Sequence, residues 1–420
     1  MYLIILTILI GTVLISISSS LVGSFALLQR KSLIGDAIAH ATLPGVCLSF
    51  LLFKEKNPFV LIIGAFITGW LCVLFIDFVS SKTKVKKDAA LGIALTSFFG
   101  LGIMLLTYLQ HLPSMGNVSG LSDFIFGNIV SVTQVDLLAF SIVALVSFGI
   151  IMVLYKELLV YSFDEAFAKT IGFPVRTIRI VLSFLTILTV ISNIQAIGIV
   201  LTASMLITPV AAARFWTNKL KRIFILAIVF SMISSVLGII ISYHFSVPTG
   251  PVIVVFLSVI AILSFLFAPE KGVVARRWRQ GRIKKRIADE NILKSMYKMN
   301  EKTGDADLTG KLSISALIER NGVSNKSALR SLRRLKKEEQ VNNINELWQL
   351  TASGAKQGRR LVKLHRLWEV YLTNKLAIAH DHVHDDAESV EHIITPELEA
   401  ELEKILGYPE VDPHETKIPY

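Results

Sequence analysis

The stretch Gly35-Asp36-Ala37-Ile38-Ala39-His40 lies within an otherwise apolar run near the start of the chain. Asp36 and His40 are four residues apart, so they lie on the same face of a helix. Burying an aspartate in a membrane span costs about 2.5–3.5 kcal/mol on insertion scales, so such residues usually line a pathway or meet a cation. A carboxylate with an imidazole is a common ligand pair for a divalent transition metal. The pair therefore indicates a membrane segment that handles metal ions; the alternative is a helix-capping Asp36 with His40 satisfied in the core.

The composition divides the chain into an apolar part and a charged part. Over 420 residues the chain is 53% apolar, and its mean hydropathy is +0.60, which is too apolar for an ordinary soluble protein. Residues 1–268 carry 16 Lys and Arg against 9 Asp and Glu, whereas residues 269–420 carry 27 against 23. The second part is charge-dense but nearly balanced, as expected of a soluble domain. The two cysteines, Cys47 and Cys72, both lie in apolar runs, which excludes a disulfide framework or a Cys-rich zinc site.

Nine apolar runs in residues 1–268 are candidates for membrane spans across about 30 Å of hydrocarbon. They predict an all-α polytopic membrane domain with eight or nine helices, and the seventh run is the weakest candidate. The runs are 3–28, 33–53, 58–80, 89–109, 135–155, 176–194, 197–213, 222–244 and 250–268. Most basic clusters fall on one side of the membrane if the N-terminus is outside, which predicts a cytoplasmic C-terminal part; Lys54 and Lys56 are exceptions.

A short amphipathic segment, Ser162–Gly172, lies between two of these spans on the basic side. Ser162 is the predicted N-cap, acidic residues occupy the first turn, and Gly172 ends the helix just before Pro174. A short cytoplasmic helix of this kind suits docking on a motor subunit, but the spacing alone also fits any interfacial helix.

Five motifs in order resemble the permease subunit of the manganese/zinc/iron ABC importers. They cover much of residues 1–268 and are LLQRKSLIGDAIAHATLPG (27–45), DFIFGNI (123–129), KELLVYSFDEAFAKTIG (156–172), QAIGIVLTASMLITPVAAAR (195–214) and SVPTGP (246–251). The resemblance implies a bacterial plasma-membrane protein that forms a homo- or heterodimer of membrane subunits. It also implies two cytoplasmic ATPases and an external binding protein that delivers the metal.

The same resemblance assigns roles to residues of this chain. It implies that Asp36 and His40 handle the transported metal. It also implies that residues 162–172 are the coupling helix that docks on the ATPase, with these candidate contacts: Phe163, Asp164, Glu165, Ala168 and Gly172. The sequence contains no Walker A pattern, so we expect this chain to bind no nucleotide and to be a transport subunit rather than an enzyme, with ATP hydrolysed by a partner.

A basic linker, residues 269–286, follows the last predicted span. Eight Lys and Arg side chains lie between Lys271 and Arg286, a density typical of a segment that rests on anionic lipid headgroups. Nucleic-acid contact by this stretch alone is the lesser alternative.

Residues 287–355 have the pattern of a winged helix-turn-helix domain. Helices are predicted over 291–304, 312–320 and 325–339, the last beginning after Ser324, and a two-stranded wing over 341–350. The third helix is basic, which favours DNA contact, although winged helices also serve as protein-contact modules. The candidate DNA-binding residues are Ser324, Lys326, Ser327, Arg330, Arg333 and Arg334.

Residues 356–420 are predicted to form a helical metal-binding and dimerisation domain. His365 and Glu369 are four residues apart on one long helix, and His384, Glu388, Glu391 and His392 have helical spacing on another. Six such nitrogen and oxygen ligands suit a divalent transition metal. The alternative is a solvated acidic helix with chance histidines, such as the nearby His380 and His382.

Residues 287–420 resemble the diphtheria-toxin-repressor family of metal-dependent regulators. The resemblance is clearest in LHRLWEVYL (364–372), HDDAESVEH (384–392), TPELEAELEKILGYP (395–409) and DPHETKIP (412–419). It implies that the six residues above are the regulatory ligands. Glu388 stands where iron-sensing members carry cysteine, which favours Mn²⁺, with Fe²⁺ or Zn²⁺ as alternatives. The chain departs from the family at the first-helix ligand positions, which align with Asn291 and Lys294.

Together these patterns predict an ABC metal-importer permease fused to a metal-responsive regulator domain. The C-terminal part could gate transport in response to cytoplasmic metal, or it could act as a metal-dependent DNA-binding repressor, tethered or released by proteolysis. It could also be a degenerate dimerisation module. A different class of function, a metal-sensing membrane receptor without transport, predicts that the segment 162–172 tolerates substitution.

Overall fold

The structure is a computed structural model. It describes residues 2–29, 31, 33–54, 58–111, 133–303, 310–376, 391, 392 and 394–420. The chain forms two compact units, Met1–Arg276 and Arg277–Tyr420, which are described separately below. The domain boundaries predicted at 268, 286 and 355 stay predictions.

The first unit is helical throughout its described residues. Its elements are α1 (Tyr2–Leu28), α2 (Ile34–Phe53), α3 (Pro58–Lys82), α4 (Lys87–His111), α5 (Gln134–Val153), α6 (Tyr155–Phe163), α7 (Glu165–Thr170), α8 (Val175–Ile197), α9 (Ile199–Trp216), α10 (Leu220–Phe245) and α11 (Thr249–Phe267). Within the described ranges, eight of these helices are long and apolar enough to cross a membrane: α1 to α5, α8, α10 and α11. The polytopic architecture predicted from the sequence is therefore confirmed.

The seventh predicted span, 197–213, corresponds to α9. This helix has 18 residues with Pro209 inside, and at 1.5 Å per residue it covers about 27 Å, slightly less than a typical hydrocarbon core. A single residue, Gly198, separates α8 from α9, and its φ of 89° is a conformation that glycine adopts without strain. The two helices therefore meet at a sharp break rather than at a loop.

Helix α2 lies at the centre of one layer of the unit, packed against α3, α4, α8 and α9. Its Ala37, Ile38 and Ala39 are fully buried, in a core that also includes Cys72 of α3 and Val190 of α8. A second group of helices, α1, α9, α10 and α11, packs around Ile197 and Met205. In an apolar solvent such packing depends on close van der Waals contact rather than on the exclusion of water.

The closest approach in the first layer is between α2 and α3, where two glycines face each other. A Cβ added to Gly45 would lie 2.1 Å from the carbonyl oxygen of Gly64, and one added to Gly64 would lie 1.9 Å from Oγ of Ser49. Only glycine leaves room for the two backbones at this distance. The pair therefore sets the separation of α2 from α3.

We predict that Gly64→Leu forces α2 and α3 apart and destabilises the unit, because overpacking of this kind costs about 1–3 kcal/mol. The matched control is Gly100→Leu on α4, where an added Cβ meets nothing within 4 Å. Thermal unfolding of the detergent-solubilised chain, followed by size-exclusion chromatography, should show a lower midpoint for Gly64→Leu alone. Equal midpoints for the two variants would show that the glycine contact is not needed.

The second unit contains a helix-turn-helix with a two-stranded wing, followed by two further helices. Its elements are α12 (Val273–Lys302, which begins in the first unit), α13 (Ile314–Asn321), α14 (Asn325–Lys337), β1 (Val341–Ile344), β2 (Leu347–Leu350), α15 (Ala352–Leu376) and α16 (Pro396–Leu406). Helix α12 begins 18 residues before the predicted start at Asn291, so much of the predicted basic linker is helical. Buried Leu293, Leu332, Val341 and Val362 belong to a common core.

The wing is a tight antiparallel hairpin in which Val341 pairs with Leu350 and Ile344 with Leu347. Its two turn residues, Asn345 and Glu346, both have positive φ, as a two-residue hairpin turn requires. The predicted winged helix is therefore present, with α14 as its third helix.

Candidate functional site

Asp36 and His40 face each other on α2, as predicted. Nε2 of His40 lies 3.4 Å from Oδ1 of Asp36, and the two side chains are 14% and 30% exposed. The N-cap of α2 is Leu33, which makes no side-chain cap hydrogen bond; the contact found for the Asp36 carboxylate is with His40. The helix-capping alternative for Asp36 therefore has no support in the structure.

The imidazole of His40 packs against an aromatic ring, and one of its two nitrogens has no hydrogen-bond partner among the described residues. The ring of Phe99 packs edge-on against the imidazole, with centroids 4.5 Å apart. Nδ1 of His40 is buried and has no hydrogen-bond partner among the described residues. A buried polar atom without a partner costs free energy, and this ring nitrogen is available to a ligand.

Gly35 lets α9 approach α2 beside this pair. A Cβ at Gly35 would lie 2.6 Å from Cδ2 of Leu206, a residue of the motif 195–214. Two of the motifs found in the sequence thus meet next to Asp36. Two residues before that motif, Asn193 of α8 accepts a hydrogen bond of 2.9 Å from Oγ of Ser19 on α1, and both residues are fully buried.

The predicted coupling segment consists of two helices rather than one. Asp164 has extended backbone angles and separates α6 from α7, and its carboxylate accepts a 2.9 Å hydrogen bond from the backbone of Phe167. The N-cap of α7 is therefore Asp164, and the prediction that Ser162 caps the segment is wrong, since Ser162 is a buried residue inside α6. Aspartate and serine are both common N-caps, so spacing alone did not distinguish them.

One face of this segment is apolar and exposed. Phe163 is 70% exposed, Phe167 55% and Ile171 47%, whereas Ala168 is fully buried against the unit. On the other side, Arg179 of α8 donates a hydrogen bond to the carboxylate of Glu165. No local pattern in the sequence identified Arg179 as a partner of Glu165, because the two residues are 14 positions apart. The helix thus presents an apolar face outward while an ion pair fastens it to α8.

In the second unit, His365 lies at the centre of a buried cluster of charges. Its Nδ1 donates to Oε2 of Glu391 at 2.5 Å, and its Nε2 lies 3.3 Å from Oε1 of Glu369. These three side chains are at most 2% exposed. The structure therefore brings three of the predicted regulatory ligands together. His384 and Glu388 lie outside the described residues.

His392 joins the cluster through a carboxylate that was not predicted. Its Nδ1 lies 2.6 Å from Oε2 of Glu290, while Arg286 donates to the other oxygen of Glu290 at 2.7 Å. Glu391 and His392 lie in a turn, so the helix predicted to run through His392 does not include them. The spacing of Arg286 and Glu290 along α12 is a helical ion-pair signal that could have identified Glu290.

A cation from the chain itself lies in the cluster. Nζ of Lys294 is 2.6 Å from Oε1 of Glu391. Burial raises the pKa of Glu391, but the hydrogen bond from His365 and the charges of Lys294 and His365 outweigh it and bring the pKa below its ordinary value. One turn further along α12, burial and the charge of Lys294 lower the pKa of Lys298.

The donor types of this cluster fit a divalent transition metal, since carboxylate oxygens and imidazole nitrogens are its usual ligands. Two buried atoms, Oδ1 of Asn291 and Nε2 of His392, have no hydrogen-bond partner among the described residues. Over the same residues, however, no group of three or more His, Cys, Asp or Glu side chains is arranged to hold an ion. The residue types of the cluster therefore fit a metal, but in this structure its carboxylates pair with Lys294 and with the histidines.

The arginines of the basic helix α14 lie in two different environments. Arg334 makes two hydrogen bonds to Asp289 of α12, at 2.8 and 2.6 Å, and so joins the two helices. Arg330 and Arg333 are exposed, as are Ser324 and Lys326, while Ser327 is half-buried. Ser324 is the N-cap residue but its hydroxyl makes no cap hydrogen bond. The predicted DNA-facing set is thus exposed except for Ser327 and Arg334.

The bundle of eight candidate membrane spans in the described residues defines the first unit as an integral membrane protein. Residues 1–268 match the family model described as ABC 3 transport family, and residues 351–420 match the one described as iron dependent repressor, metal binding and dimerisation domain. The chain belongs to the ABC 3 transport family. Both resemblances found in the sequence are confirmed.

Known proteins show which parts of the chain are shared. The manganese transport system membrane protein MntC of Bacillus subtilis is 34% identical over 374 residues, which is 89% of this chain and 85% of that protein. The zinc transport system membrane protein TroC of Treponema pallidum is 37% identical over 65% of this chain and 92% of its own length. The match to MntC is longer than the 276 residues of the first unit, so it continues into the second.

The solved structure of PsaBC from Streptococcus pneumoniae in complex with Fab has a similar fold. It superposes with a TM-score of 0.57 at 35% identity, over 64% of this chain and 93% of that chain. The similarity supports the helical architecture of a permease for the membrane unit.

Proposed function

We propose that the chain is the permease subunit of an ATP-driven importer whose cargo is a divalent transition metal ion. The observation that carries the proposal is the Asp36–His40 pair, a carboxylate and an imidazole 3.4 Å apart on a largely buried candidate span. Two protein ligands hold a cation only weakly, which suits a site that must release its ion. Water or the second subunit would supply the remaining ligands.

Manganese is the favoured cargo, with zinc and iron as alternatives. The relatives are named for manganese and zinc transport, and a carboxylate–imidazole pair accepts all three ions. The machinery that we propose around this chain is an ABC ATPase, an extracytoplasmic metal-binding protein and a second permease subunit, identical or different. The location is the bacterial plasma membrane, with the second unit in the cytoplasm.

We predict that Asp36→Ala/His40→Ala lowers metal uptake at least tenfold, because it removes both side chains that would contact the ion. The measurement is Mn²⁺, Zn²⁺ and Fe²⁺ accumulation in cells that also express the ATPase and the binding protein. Asp88→Ala/His111→Ala removes the same two residue types from the ends of α4 and should leave uptake unchanged. Unchanged uptake in the α2 variant would refute the transport site.

Coupling to ATP hydrolysis is proposed to pass through Asp164 and α7. The exposed apolar face of this segment suits a groove on an ATPase, because a few buried aromatic anchors carry most of the binding energy of such interfaces. Asp164 keeps α7 helical, and Gly172 ends the segment with a φ of 87°. The receptor alternative, without transport, does not require such a face.

We predict that Phe167→Ala weakens co-purification of the ATPase about fivefold or more and reduces uptake, since it truncates an interface anchor worth more than about 1 kcal/mol. Phe148→Ala is the matched control, because Phe148 has a similar exposure of 50% but lies on the span α5. Full uptake in the Phe167 variant would favour the receptor alternative and count against this docking face.

The second unit is proposed to sense cytoplasmic metal and to reduce transport when metal is plentiful. Its proposed ligands are His365, Glu369, His384, Glu388, Glu391 and His392. Because this unit is part of the same chain as the permease, transport is the process that we expect it to regulate. DNA binding through Lys326, Arg330 and Arg333 stays a prediction.

We predict that a chain truncated after Gly272, just before α12 begins, continues to import metal in metal-loaded cells, whereas the full chain slows. The measurement is initial uptake rate after growth with and without excess Mn²⁺. Metal-starved cells are the control, in which both chains should import equally. If the truncated chain slows as the full chain does, the second unit has no gating role.

A further inference from the structure

Lys294 places a positive charge beside the buried carboxylate of Glu391. Its ammonium nitrogen lies 2.6 Å from Oε1 of Glu391, and the two side chains are 8% and 0% exposed. Oε1 of the same carboxylate lies 3.6 Å from Nε2 of His392. A positive charge therefore sits against a buried carboxylate that has an imidazole nitrogen close by.

Two residues beside this ion pair carry atoms of the types that bind metals. Nε2 of His392 is buried without a hydrogen-bond partner among the described residues, and the same is true of Oδ1 of Asn291. Asn291 lies three residues before Lys294 on α12, and both side chains line the same cleft. The two unpartnered donor atoms would gain ligand bonds if an ion replaced the ammonium.

The ion pair is costly to open by simple removal of one partner. Breaking a buried pair in this way leaves an uncompensated charge and is strongly unfavourable. A divalent cation avoids that cost, because it supplies the positive charge that Glu391 needs as the ammonium leaves. Lysine has a long flexible stem, so its ammonium can move out towards solvent.

We propose that Lys294 is a resident cation that competes with divalent metal for the buried cluster around Glu391. Metal binds there only by displacing the ammonium, and without metal the ammonium keeps α12 joined to the turn that carries Glu391. The inference rests on the proposed metal-sensing function of the second unit. It adds that Lys294 sets the metal concentration at which the second unit binds metal.

Competition from Lys294 raises the metal concentration at which the site fills. When only a small fraction of a protein is in the state competent to bind, the apparent dissociation constant rises by the inverse of that fraction. A site closed by its own lysine thus stays free of metal when the metal concentration is low, and it fills only when metal is in excess. Such a threshold suits feedback on an importer.

The test measures Mn²⁺ binding to the full-length chain in detergent, with free Mn²⁺ followed by electron paramagnetic resonance. All variants carry Asp36→Ala/His40→Ala, so that the transport site does not contribute. Lys294→Gln removes the charge and should bind Mn²⁺ at least tenfold more tightly than the parent. Lys294→Arg keeps a cation and should bind as weakly as the parent. Lys285→Gln, an exposed lysine of the same helix, is the matched control and should change nothing.

Thermal unfolding covers the case in which Lys294→Gln folds poorly. In chelator its midpoint should be several degrees lower than that of the parent, and Mn²⁺ should restore it. A variant that binds Mn²⁺ no more tightly than the parent, or that stays unfolded with Mn²⁺ present, overturns the inference. Transport feedback is measured separately, with Lys294→Gln placed in a chain that keeps Asp36 and His40. Tighter Mn²⁺ binding together with unchanged feedback in that chain would support displacement of the lysine and refute the gating role instead.

Discussion

The membrane unit depends on the close contact between α2 and α3 at Gly45 and Gly64. Without water to drive helices together, a bundle in lipid gains its stability from backbone proximity and van der Waals packing. This contact encloses α2 among neighbouring helices, and an enclosed helix is the setting in which Asp36 and His40 can remain at membrane depth. A looser α2 would expose both side chains to lipid, where their desolvation is uncompensated.

The second unit relies on a different principle, since its core contains charges that satisfy one another. Glu369 and Glu391 are buried beside His365, and Lys294 and Arg286 bring positive charge to Glu391 and Glu290. Such a network holds together three parts of the unit, α12, α15 and the turn at Glu391. It is sensitive to any added cation, because its arrangement is set by electrostatic balance rather than by shape alone.

Much of the architecture follows from periodicity and composition. Apolar length was enough to find the helices of the membrane unit, and the helix and wing patterns were enough to find the winged helix. The cap of α7 was missed because serine and aspartate have similar cap preferences, and tertiary context selected Asp164. Arg334 was assigned to DNA contact because its partner, Asp289, lies 45 residues away, and no local pattern reports such a pair.

The site was predictable where its members are neighbours in sequence, and less so where they are not. Asp36 with His40 and His365 with Glu369 are each one helical turn apart, so spacing alone placed them together. Glu290, Lys294 and Glu391 come from distant segments, and only the fold shows that they meet. Lys294 was recognised as a departure from the family pattern, but its contact with Glu391 required the structure.

The ion pair between Glu165 and Arg179 connects the short helix α7 to the long helix α8. Helix α8 runs without interruption from Val175 to Ile197, with Arg179 near one end and Asn193, hydrogen-bonded to Ser19, near the other. The two residues are 14 positions apart, which is about 21 Å along the helix axis. If α7 docks on an ATPase as proposed, a displacement of α7 would act through this one continuous helix on the buried contact between α8 and α1.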